Sequence, residues 1–142
     1  MQQTKIVRQE VPPEADEGTS LEHEAVYLIG SMDGYPIGRV VAKYAEVHAA
    51  VRERGARVVY DPAIKWLTAS TVCYTPTRLD WMRDAIHELT RSDGMEPYYD
   101  VAVRVPDEPG VAPSNDVALL MAVASACGIW VVDAENLDHE RG

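Results

Sequence analysis

Hydrophobic positions along the chain alternate between short continuous runs and stretches of helical period. "AVYLI", Ala25 to Ile29, is a continuous apolar run of the kind made by a strand covered on both faces. From Arg39 to Arg54, Val40, Tyr44, Val47, His48 and Val51 recur at helical spacing, with Lys43, Glu46, Arg52 and Glu53 on other faces. Gly55 stands where a C-terminal cap belongs. A second strand is expected over Ala56 to Tyr60, ended by Pro62. Strand, helix, strand in that order favours a parallel, right-handed crossover.

Residues 61–75 have no clean period, and "AIKWLTASTVCY" reads either as a functional loop or lid or as a packed connection. A second helix is expected from Thr75-Pro76, with Leu79, Met82, Ile86 and Leu89 as its apolar face and Gly94 at its end. A third strand, Asp100 to Val105, leads into the turn-rich "PDEPGVAPSND". Ser114, Asn115 or Asp116 caps the next helix. "VALLMAVASAC", Val117 to Cys127, carries no charge on any side, so that helix must be covered all round, either centrally or at a subunit interface. After Gly128, Ile129 to Val132 supplies a fourth strand. The domain is therefore expected over residues 25–133, between a flexible arm of residues 1–24 and a polar tail of residues 134–142. Strands alternating with helices predict an α/β sandwich around a mostly parallel sheet of four to five strands.

Composition narrows the partners. With 46% hydrophobic and 25% charged residues the chain is that of a globular protein, and no apolar run approaches the roughly 20 residues that cross a bilayer. No apolar leader follows the first positive charges, so a cytoplasmic setting is expected. A net charge of −10 opposes binding to a nucleic-acid polymer. Cys73 and Cys127 lack metal-ligand spacing and read as reduced structural thiols; no metal or cofactor is expected.

The candidate chemistry centres on Gly30-Ser31-Met32-Asp33-Gly34, directly after the first strand. In doubly wound sheets that position adjoins the ligand crevice. Glycine permits positive φ and close approach, while exposed amides and the Ser31 hydroxyl can donate to an oxygen-rich ligand. Asp33 suits a sugar hydroxyl better than a phosphate. A tight structural turn is the alternative reading. His48 reads as a packed core histidine or a base, and His87 and Glu88 as solvated. Trp66 and Tyr74 either stack on a nucleobase or pack their loop.

"YLIGSMDGYP", "VRERGARVVYDPA", "WMRDAIHEL", "YYDVAVRVP" and "SNDVALLMAVASACG" follow in an order that resembles the nucleoside 2-deoxyribosyltransferase-like superfamily, nearest to its small DUF4406 branch. The resemblance covers roughly residues 25 to 132. It implies a flavodoxin-like or Rossmann-like three-layer fold, a nucleoside or nucleotide ligand and, in active members, cleavage or transfer at an N-glycosidic bond. Gly30, Ser31, Met32, Gly34, Asp84 and Ser114 are the carried-over positions, with Asp80 as a competing match for Asp84. The family's nucleophilic Glu is replaced by Leu120, which can form no glycosyl ester. Either Asp116, one turn earlier, substitutes, or the chemistry is lost and the chain is a ligand-binding or interaction subunit. Asp116 also reads as a first-turn carboxylate favoured by the helix dipole. The uncharged helix further implies a homo-oligomer.

Overall fold

In the computed structural model, residues 20–31, 37–65, 77–107 and 114–137 are described. In chain order they form β1 (Ala25–Ile29), α1 (Ile37–Glu53), β2 (Val58–Tyr60), α2 (Arg78–Leu89), β3 (Ser92–Asp93), β4 (Glu96–Pro97), β5 (Val101–Arg104), α3 (Asn115–Ala126) and β6 (Trp130–Asp133). The main sheet has the order β2-β1-β5-β6, and every pairing in it is parallel. It is a Rossmann-like, flavodoxin-like α/β sandwich.

All five side chains of β1 are buried, and they alternate between two cores. Val26 and Leu28 join Val40, Tyr44, Val47 and Val51 under α1. Ala25, Tyr27 and Ile29 join Trp81, Ala85, Leu89, Val117, Leu120 and Ala124 under α2 and α3. Helices on both faces explain why this strand is a continuous apolar run.

α1 buries the stripe its spacing predicts, and Gly55 closes it at φ 96°. The fold begins earlier than the expected end of the N-terminal arm. Leu21 is fully buried in the α1-side core, and its amide donates to Arg54 O at 2.9 Å. At the other end Leu137, expected in the polar tail, is buried in the same core after a 3-10 turn over Ala134–Asn136.

α2 departs from expectation in phase. Its buried face is Trp81, Ala85 and Leu89, while Leu79 is 57% exposed and Ile86 37% exposed. Both stripes have helical spacing. Trp81 supplies bulk and Ala85 closeness against a sheet face shared with α3, and that fit selects the second stripe. Thr77 caps the helix in a capping box with Asp80, and the helix ends at Leu89. Gly94, the expected stop, instead sits at φ 71° in the turn of the antiparallel β3-β4 hairpin.

Ser114 caps α3 by accepting the Asp116 amide at 3.1 Å. Val117, Leu120 and Ala124 face the sheet. Within the chain the helix is covered on one side only. Leu119 is 49% exposed, and Ala118, Ala122, Ser125 and Ala126 are exposed beside it.

Candidate ligand site at the end of the central strand

The chain leaves β1 through α1 to reach β2 on one side, then returns through α2 to β5 on the other. The direction of winding therefore reverses between β1 and β5, and it is beyond the carboxyl ends of such a strand pair that doubly wound sheets hold their ligands. Gly30 and Ser31 follow β1 there, Val105 to Asp107 follow β5, and Ser114 starts the helix beyond. The ladder continues past β5, with the Val105 amide donating to Ile29 O at 2.7 Å.

Gly30 is buried and does not use the positive φ that glycine permits; among the described glycines Gly55, Gly94 and Gly128 do. Its bareness has another cause. A Cβ at Gly30 would lie 2.9 Å from Tyr44 Oη and 2.9 Å from Val105 Cβ. The close approach is made by the chain's own side chains.

Tyr44 is 1% exposed, and its hydroxyl has no hydrogen-bond partner among the described residues. The Gly30 backbone is near enough to favour the phenolate, yet the contact falls short of a hydrogen bond. Burial, and after it the Asp61 carboxylate, push the phenol well above its ordinary range, so the group remains O–H. A buried hydroxyl left unpaired costs about 1–3 kcal/mol. On the opposite face Trp81 Nε1 is likewise buried, without a partner among the described residues. α2 runs antiparallel to the sheet, which places Trp81 in its first turn, near Ile29 at the same edge.

Asp84 is not a solvated carboxylate. Its side chain is 16% exposed, Tyr60 Oη donates to Oδ2 at 2.7 Å and Lys65 Nζ reaches Oδ1 at 2.5 Å. Tyr60 in turn stacks on Tyr27 at 5.1 Å between ring centroids. The competing Asp80 is the capping-box residue of α2.

Asp116 is 7% exposed and gripped by both prongs of Arg78, from Nε to Oδ2 at 2.7 Å and from Nη2 to Oδ1. Arg78 holds this carboxyl below its usual range, against the opposing effect of burial. It is therefore a fixed anion joining the starts of α2 and α3, without a proton to give near neutrality. Leu120 is 1% exposed, packed in the core with Tyr27, Ile29 and Trp81. Met32, Asp33, Gly34, Trp66 and Tyr74 lie outside the described residues.

Two clusters here were not foreseen. His48 Nδ1 lies 2.9 Å from Asp61 Oδ2, while Asp61 Oδ1 accepts the amides of Ala63 and Ile64. Asp61 with Pro62 after it thus starts the helical residues 62–65, a role the Asp-Pro pair could have signalled. Arg104, at the end of β5, donates to Asp107 Oδ2 at 2.7 Å and to Asp133 Oδ1 at 3.1 Å. Asp107 is only three residues on from Arg104, but nothing in the local sequence pairs Arg104 with Asp133. Among the described residues no group of three or more His, Cys, Asp or Glu is placed to hold a metal ion.

No family model, curated protein or solved structure matches the chain. Both oxygens of Asp84 and of Asp116 accept donors from the chain itself, whereas Tyr44 Oη and Trp81 Nε1 are polar groups without partners among the described residues. That arrangement is suited to holding a ligand by hydrogen bonds more than to proton transfer.

The Arg78–Asp116 pair sets a pH dependence. A carboxyl with a depressed folded-state pKa stabilises the fold above its unfolded value and loses that contribution as pH falls through the folded value. Arg78→Ala is expected to cost about 1–3 kcal/mol at pH 7 by stranding the buried carboxylate. In urea titrations the gap from wild type should close from about pH 4 downward. A gap that is absent at pH 7, or constant with pH, contradicts this role.

Proposed function

We propose that this protein binds a nucleoside or nucleotide in the crevice at the carboxyl ends of β1 and β5, without a glycosyl nucleophile at position 120. The observation that carries the reading is the reversal of winding between those strands, which brings Gly30 and Ser31 to the same edge as Ser114. Ser31 and Ser114 are the hydroxyl contacts of this reading. Met32, Asp33, Gly34, Trp66 and Tyr74 join them from the sequence pattern alone. Leu120 supports binding without covalent chemistry, because it fills hydrocarbon space and carries no carboxylate.

A second reading, hydrolysis or transfer at an N-glycosidic bond, rests on Asp84. It is a partly exposed carboxylate at this edge, held in position by Tyr60 and Lys65. Asp116 serves that reading poorly, because Arg78 neutralises it. A cytoplasmic setting accords with either.

The test is a thermal-shift panel of the common ribonucleosides, 2′-deoxynucleosides and their 5′-monophosphates, with chromatography for released base. At least one compound should stabilise the protein, by about 2.7 kcal/mol at 100 times its dissociation constant, with no base released. Base release would move the conclusion to the second reading. A panel without any shift would remove both.

The protein is further proposed to self-associate through the outer side of α3, where Leu119 stands among exposed alanines and no charge opposes contact. Sedimentation at micromolar concentration is expected to show a dimer or larger species; a monomer contradicts the assignment.

A further inference from the structure

Buried and half-buried phenols packed about this sheet are treated in two ways. Tyr60 donates to Asp84 and Tyr99 donates to Glu88, each at 2.7 Å. Tyr44 donates to nothing among the described residues. Its ring is locked in the α1-side core with Val40, Val103 and Val105, and its oxygen is buried beside Gly30, directly after the carboxyl end of β1. Among the described residues no neighbour takes its proton. Val105 presents hydrocarbon and the Gly30 amide is itself a donor. Asp61 is engaged by His48 and by the amides of Ala63 and Ile64.

We infer that the Tyr44 hydroxyl is a specificity-determining donor of the ligand site, hydrogen-bonding an uncharged oxygen of the ligand at the carboxyl end of β1. The inference rests on the nucleoside reading above and adds a residue and a ligand chemistry to it. An uncharged oxygen is favoured over a phosphate because Asp61 already places negative potential at this hydroxyl, as its upward push on the phenol shows. A nucleoside offers such an oxygen in two places, a sugar hydroxyl or a base carbonyl.

The experiment compares wild type with Tyr44→Phe, which removes one oxygen and leaves the ring. In urea denaturation without ligand, the variant should match or exceed the wild-type midpoint, because no hydrogen bond to the described residues is lost. Calorimetric titrations then use 2′-deoxyadenosine, whose base has no carbonyl, thymidine, whose base has two, and their 5′-monophosphates. The variant should bind at least tenfold more weakly, about 1.4 kcal/mol, and equally so with and without the phosphate. Loss with both nucleosides assigns the partner to the sugar; loss with thymidine alone assigns it to a base carbonyl. A clear fall in the ligand-free midpoint would overturn the inference by showing the hydroxyl already satisfied within the chain. Unchanged affinity, or loss confined to the monophosphates, would overturn it too while leaving the binding site in place. A wild-type protein that takes none of the four probes removes the site itself, and Tyr44's role with it.

Discussion

Burial of β1 on both faces is the constraint from which the rest of the structure follows. A strand whose five side chains are all inside must be covered on each face, so its connections are made by helices and its neighbours run parallel. Parallel crossovers leave every strand ending at the same edge. Because the chain builds outward from β1 in one direction and then in the other, the reversal at that edge falls beside β1 itself. Gly30 stands at this point, pressed by Tyr44 from one helix and by Val105 from the next strand. The tight packing that closes the core thereby delivers one phenol to the carboxyl end of β1.

Each carboxylate described at this edge has a partner, with Arg104 serving two of them. Asp61, Asp84, Asp107, Asp116 and Asp133 gather near the strand ends, and each is matched by His48, Lys65, Arg104 or Arg78. These pairs fasten helix starts and strand ends to one another. They also leave an edge poorly disposed to take a second strong anion, in keeping with a neutral ligand surface. The tyrosines share in this fastening. Tyr27, Tyr60 and Tyr99 form one aromatic cluster, and the hydroxyls of Tyr60 and Tyr99 tie it to Asp84 and Glu88 on α2. Phenylalanine at those two positions would supply the rings without the ties.

The alternation of strands and helices was legible in the sequence because its signals are local. The α1 stripe from Val40 to Val51, the stop at Gly55 and the run at Ala25 to Ile29 each lie within one element. The phase of α2 was not legible, since Leu79 and Ile86 satisfy a helical period as well as Trp81 and Ala85 do; the facing surface decides between them. The β3-β4 hairpin consists of two-residue strands, too short for any period to show. Within the site, positions were readable and partnerships were not. Asp84 and Asp116 stood out as carboxylates, but their partners Tyr60 and Arg78 are 24 and 38 residues away in the chain. Tyr44 read simply as core, because an unsatisfied hydroxyl is visible only once its surroundings are known.

The central claim, that the edge between β1 and β5 is where a ligand seats, is tested most directly by following backbone amide resonances. The titrant is a mixture of the common 2′-deoxynucleosides. The account predicts that the largest changes fall on Gly30, Ser31, Val105, Asp107 and Ser114. Changes centred instead on the β3-β4 hairpin and His23, at the opposite edge of the sheet, or no change anywhere, would contradict it.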